Sequence, residues 1–134
     1  MKTFSTFLVK NFSSASDCSD NFIFENVNKL VTEDLREYLL SVKGIGKETA
    51  DDMLLYAFDR EVFVVDTYTK RILLRHGIIE EKYQYEEVAE VFTESLEKNK
   101  DIYGHFHAFV VALGKRFCKK NEPLCKKCPL SFDI

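Results

Sequence analysis

Residues 39–74, LLSVKGIGKETADDMLLYAFDREVFVVDTYTKRILL, decide how this chain reads. The pattern predicts a helix, a tight turn, a second helix, a short extended run and a third helix. The turn is Val42-Lys43-Gly44-Ile45-Gly46. Two glycines flanking one apolar residue let the backbone reverse where a side chain would clash. Ile45 is expected to point inward and pin the turn. The amides of Gly44, Gly46 and Lys47 then line the start of the second helix. There, N–H groups and the positive end of a helix dipole make a concavity suited to an anion such as phosphate. Twenty residues after Gly46 comes Asp66, the only carboxylate in the run Val62-Phe63-Val64-Val65-Asp66-Thr67. A hydrophobic run that ends on a carboxylate with a helix behind it makes Asp66 a candidate for chemistry.

On the N-terminal side, Thr32 is the expected N-cap of the first helix of this stretch, with Glu33 and Asp34 complementing the dipole. Leu35, Leu39, Leu40 and Val42 should face inward. After the turn, residues 47–58 carry Ala50, Met53, Leu54, Ala57 and Phe58 at helical spacing. Asp66 or Thr67 should cap the third helix, and Gly77 should end it. Further on, residues 84–98 suit an amphipathic helix with Val88, Val91, Phe92 and Leu96 inside. Residues 101–117 suit another, with Ile102, Phe106, Phe109, Val110, Leu113 and Phe117 inside. Upstream, residues 2–11 suit a short amphipathic helix and residues 12–20 a Ser- and Asp-rich loop containing Cys18. Residues 22–31 suit a helical turn or two. The fold class is all-α.

A chain of 134 residues suits one domain or part of one. The net charge of −3 argues mildly against a nucleic-acid partner, but binding faces are local. Acid gathers in residues 33–37 and 86–97. Base gathers at Lys70, Arg71 and Arg75 and in residues 115–127, so the molecule is expected to be polarised. No apolar stretch is long enough to span a bilayer. The opening MKTFSTFLVKNF lacks a small-residue cleavage site, so the cytoplasm is the expected location. Disulfides are not the default there.

Three of the four cysteines, Cys118, Cys125 and Cys128, are separated by six and two residues, and Pro129 follows them. Thiolates so close in a short loop suit a metal centre. Three do not complete a tetrahedral site or a cubane cluster. Zinc, or no metal at all, are the alternatives. His105 and His107 flank Phe106 on a helix, where a packed or surface role is the expectation.

Together these segments resemble the endonuclease III superfamily of DNA base-excision glycosylases. VKGIGKETAD looks like its helix-hairpin-helix, FVVDTYTKRIL like its catalytic-aspartate segment, and Cys118, Cys125 and Cys128 like three of the four cysteines of its C-terminal 4Fe–4S loop. The match runs in the family's order over residues 35–128. Endonuclease III proper has a lysine at the position of Glu48, and that lysine forms a Schiff base and cleaves the strand. A glutamate there resembles the 3-methyladenine glycosylase branch, which removes the base only. The fourth cluster cysteine would fall at position 134, which is Ile134. Family members also carry more chain before the hairpin. The resemblance therefore implies a partial six-helix barrel over residues 1–117, with a cysteine loop over residues 118–134. Its exposed apolar face would need a partner such as a second copy.

The resemblance implies a base-excision glycosylase acting on double-stranded DNA that contains a damaged, alkylated base. Asp66 would be catalytic. Lys43, Gly44, Ile45, Gly46 and Lys47 would hold a backbone phosphate. Two other readings remain: a DNA-binding module without catalysis, and a strand-cleaving enzyme of the endonuclease III type, which Glu48 disfavours. A small zinc-binding interaction module is a further alternative.

Overall fold

The computed structural model describes residues 26–133, and every described regular element is helical. The expectations for residues 2–11, 12–20 and Cys18 lie outside the described residues. The chain groups into two compact units, one ending at Arg60 and the other beginning at Glu61.

In the first unit, α1 spans Thr32–Leu40 and α2 spans Lys47–Asp52, which continues as a π-helical turn over Met53–Ala57. Val31 is the N-cap of α1 and contributes no side-chain cap; Thr32 is instead the first helical residue. The hydroxyl expected to cap is otherwise engaged, because Arg60 Nη1 donates to Thr32 Oγ1 at 3.1 Å. Arg60 Nη2 also donates to the carbonyls of Val27 and Asn28. Leu35 and Leu39 are fully buried and anchor α1.

The two helices are joined by an ion pair. Arg36 Nε donates to Asp51 Oδ1 at 2.7 Å and Nη2 to Oδ2 at 3.1 Å. A guanidinium fork matches a carboxylate in this two-point geometry. Asp51 is only 2% exposed, and Arg36 gives this buried carboxylate its counter-charge.

The π turn changes the inward face of α2. Phe58 N donates to Met53 O, a reach of five residues rather than four. The extra residue in the turn rotates the side chains beyond it about the helix axis. Leu54, Leu55 and Phe58 are buried, whereas Ala57, expected inside, is exposed.

In the second unit, residues 61–66 lie outside any helix, with Phe63, Val64 and Val65 buried and Asp66 in extended backbone. Phe63 stacks on Phe92 at a centroid distance of 4.1 Å and meets the Tyr103 ring edge-on at 5.7 Å. The Val65 amide donates to the Tyr85 hydroxyl. Three helices complete this unit: α3 over Thr67–Arg75, α4 over Tyr85–Ser95 and α5 over Lys100–Arg116. Gly77 comes after α3 with φ +66°, the left-handed conformation that ends a helix. Gln84 N donates to Glu87 Oε2 at the start of α4. Asn99 Oδ1 accepts from the amides of Asp101 and Ile102 at the start of α5. Leu96 lies one residue past the end of α4.

Helices α3 and α5 pack through Ile72, Val110 and Leu113. Their approach is close because position 114 is glycine. A Cβ there would lie 2.2 Å from Tyr68 Cδ1. Phe106 and Phe109, expected inside, are 41% and 49% exposed. Phe106 shares the helical face of Val110 and Leu113. However, α5 is about 26 Å long and α3 about 14 Å, so α3 does not cover the whole apolar stripe.

The cysteine segment is tied to this pair of helices by arginines. Arg71 Nη1 donates to Cys118 O at 2.9 Å. Arg75 Nη1 donates to Lys119 O at 2.6 Å and lies 3.2 Å from Cys118 Sγ, while its Nη2 donates to Lys120 O. Cys118, Cys128 and Leu130 pack against the Ile72–Val110–Leu113 cluster.

Two outcomes are expected. Arg36→Met should lower the unfolding free energy by about 3 kcal/mol in urea denaturation, because it leaves the buried Asp51 charge without its partner; an unchanged midpoint would contradict the ion-pair account. Arg75→Ala should speed tryptic cleavage in residues 119–127, whereas a chelator should not speed it in the parent chain. The reverse pattern would show that metal, not arginine, holds the segment.

Candidate active site

Asp66 ends the buried Phe63-Val64-Val65 run and becomes the N-cap of α3. The apolar run fixes the backbone by burial, and the helix behind it supplies unpaired amides. Thr69 N donates to Asp66 Oδ1 at 2.7 Å, and Thr69 Oγ1 donates to the same oxygen at 2.8 Å. Asp66 N in turn reaches Thr69 Oγ1 at 3.4 Å, closing a reciprocal capping box. The second oxygen, Oδ2, lies 3.2 Å from His107 Nε2 on α5. The two side chains are 8% and 12% exposed.

These contacts decide the charge state of Asp66. Burial pushes its carboxyl pKa up. The hydrogen bonds from His107 and Thr69 and the charge of His107 outweigh that and hold it below the ordinary aspartate value. The folded carboxyl therefore binds a proton more weakly than the unfolded chain does. Its contribution to stability is present above the ordinary carboxylate range and is lost as pH falls through the lowered folded value.

His107 is the residue that sequence reasoning missed. Its expected role was packing or surface, and it lies 41 residues from Asp66. The available signal was its place three residues before Val110, on the helix that packs against α3. His105, two residues away, is exposed.

In the first unit, the glycine turn presents Lys43, Gly44, Gly46 and Lys47 to solvent, with Ile45 half-buried. Val42, 7% exposed, does the anchoring expected of Ile45. Ile45 N donates to Val42 O at 3.2 Å. Gly44 has φ +90°, a conformation that favours glycine. Gly46 is the N-cap of α2 and supplies no side chain to close its amide end. Apart from the adjoining residues of the turn, no heavy atom of the described residues lies within 4 Å of where a Cβ would stand at Gly44 or Gly46. Glu48, in the first turn of α2, is exposed.

Cys118, Cys125 and Cys128 line one cavity with Ile72, Leu113 and Leu130. The cavity measures about 20 Å³, space for about one water. Among the described residues, no group of three or more His, Cys, Asp or Glu side chains is placed to hold a metal ion. The three thiols as arranged do not fit four irons and four sulfides, and the position of the expected fourth ligand is Ile134.

No family model matches the chain. A Methanocaldococcus jannaschii protein provisionally named a DNA repair glycosylase is 43% identical over 130 residues, 97% of this chain and 56% of that protein. The endonuclease III of Sulfolobus acidocaldarius is 33% identical over 94 residues, 70% of this chain and 41% of that one. The Thermotoga maritima endonuclease III is 34% identical over 95 residues, 71% of this chain and 43% of that one. The chain spans about half the length of these curated relatives. Among solved structures, a non-covalent endonuclease III–DNA complex aligns with a TM-score of 0.63 at 17% identity, over 98% of this chain and 83% of that one. A trapped covalent endonuclease III–DNA intermediate aligns with a TM-score of 0.62 at 18% identity, over 97% and 82%. These structural matches establish the fold, and among the described residues no helix is long and apolar enough to cross a membrane. With the homologues and the all-helical architecture in agreement, the chain belongs to the endonuclease III superfamily of helix-hairpin-helix DNA glycosylases.

Proposed function

We propose that this chain is a base-excision DNA glycosylase that removes an alkylated base without cutting the strand, as in the 3-methyladenine branch. The observation that carries this reading is the geometry of Asp66: Oδ1 is consumed by the helix cap, and Oδ2 lies outside it, 3.2 Å from His107 Nε2. These contacts favour the charged form of the carboxyl. The target nucleotide in duplex DNA must leave the stack to expose its glycosidic bond. As that bond breaks, its electron pair leaves with the base and the sugar gains oxocarbenium character. The Asp66 carboxylate offsets this positive charge. It also orients the water whose oxygen bonds to C1′ and takes up the released proton. An alkylated base is already a good leaving group, so no strong general acid is needed.

The hairpin residues Lys43, Gly44, Ile45, Gly46 and Lys47 hold a backbone phosphate in this reading, through amides and two lysine charges. Their exposure supports it. Glu48 has no amine to form a Schiff base, which supports base removal without strand cleavage. A 4Fe–4S cluster on Cys118, Cys125 and Cys128 would need a further ligand, and no step of the reaction is assigned to it. We keep the division into a helical part, residues 1–117, and a cysteine loop, residues 118–134, as part of the proposal. A cytoplasmic site of action and self-association through an exposed face of the half-barrel also belong to it.

A second reading is a DNA-binding module without catalysis. Asp66 favours it in one respect, because the carboxylate is only 8% exposed and capping alone gives it a role. Asp66→Asn separates the two. Asparagine caps helices about as well as aspartate, so the variant should fold and bind DNA while losing the charge. Base release from an alkylated duplex should fall by about 10²–10³-fold. Equal release by the variant would remove Asp66 from the reaction. Gly46→Val should weaken binding to all DNA sequences alike, and unchanged affinity would show that the hairpin does not touch phosphate.

A further inference from the structure

We propose that His107 is a positioning residue that aims the Asp66 carboxylate, leaving one oxygen lone pair for the reacting sugar or water. This rests on the glycosylase reading and adds a residue to it. An ionised carboxylate has about four acceptor positions, two on each oxygen. The Thr69 amide and hydroxyl occupy Oδ1 at 2.7 and 2.8 Å. The His107 ring nitrogen occupies one position of Oδ2 at 3.2 Å. One acceptor position remains, and it is on Oδ2.

Each contact restrains a different motion. The Thr69 contacts come from the same turn of chain as Asp66, so they fix Oδ1 relative to α3. Rotation about the bond that carries the carboxylate, a soft torsion, moves both oxygens. The Thr69 contacts resist it at Oδ1 from within α3, and His107 resists it at Oδ2 from α5.

The placement of His107 is itself rigid. Gly114 allows α5 to close on Tyr68 of α3, and Val110 and Leu113 pack against Ile72. Val110 lies one helical turn beyond His107, so the packing that fixes one fixes the other. His107 is 12% exposed and has little room to swing away. For the contact to form with an ionised carboxylate, Nε2 must carry the proton, whether the ring is neutral or cationic.

Three variants and one spectroscopic measurement test this. His107→Leu removes the donor and keeps bulk. His107→Gln restores an N–H donor of similar reach. Single-turnover base release from an alkylated duplex should slow by about 10- to 100-fold in His107→Leu, as expected for a misaimed reacting group. His107→Gln should recover most of the rate, and duplex affinity should be the same in all. A release rate in His107→Leu equal to that of the parent chain would overturn the proposal. So would a His107→Gln rate as low as that of His107→Leu.

The imidazole ¹⁵N signals of the DNA-free chain provide a readout independent of activity. Asp66→Asn should shift the His107 Nε2 signal and leave that of His105 unchanged. An unshifted His107 signal would show that the two side chains are not paired, whatever the activity. If the parent chain releases no base from any alkylated duplex, the glycosylase reading falls and the positioning role falls with it. The nitrogen signals then still decide whether the pair exists.

Discussion

The second unit depends on one carboxylate that ends a helix without becoming neutral. Asp66 sits where a buried apolar run meets the first turn of α3, a place where an unpartnered charge would be costly. Hydrogen bonds from Thr69 and His107 supply the compensation. The same contacts that cap the N-terminus of α3 therefore hold a negative charge close to a protein interior, where, in the proposed reaction, low dielectric would strengthen its effect on a developing cation. In the proposed reaction the structural and chemical roles are not rivals at this residue, because they use different oxygens.

Arginines do comparable work at two other places. Arg36 neutralises Asp51 and joins α1 to α2, which frame the glycine turn. Arg71 and Arg75 hold the start of the cysteine segment against α3 and α5. In each case a planar, permanently charged donor reaches several acceptors at once.

Much of the fold was legible in the sequence because it is locally coded. The glycine turn, the Asp66 cap and the α3 terminus at Gly77 are set by residues within a few positions of each other. The apolar periodicities of α1, α4 and α5 located those helices to within a few residues. What the sequence hid is nonlocal. The Arg36–Asp51 pair spans 15 residues and the Asp66–His107 pair 41. The π turn after Asp52 has no compositional mark, so Ala57 was placed on the wrong face. Phe106 and Phe109 were read as core because periodicity reports a stripe and not what covers it. For the candidate site, Asp66 stood out as a lone acid in an apolar run. His107 did not, since a histidine on a helix says nothing about what faces it until the packing of α5 on α3 is known.

The central claim is that the Asp66 carboxylate remains ionised despite its burial, and its titration tests this most directly. In a chain labelled with ¹³C at aspartate, the Asp66 carboxyl resonance should hold its ionised position through neutral and mildly acidic pH and move only below the ordinary aspartate range. A transition at or above that range would mean that burial prevails over the His107 and Thr69 contacts, and would contradict the account.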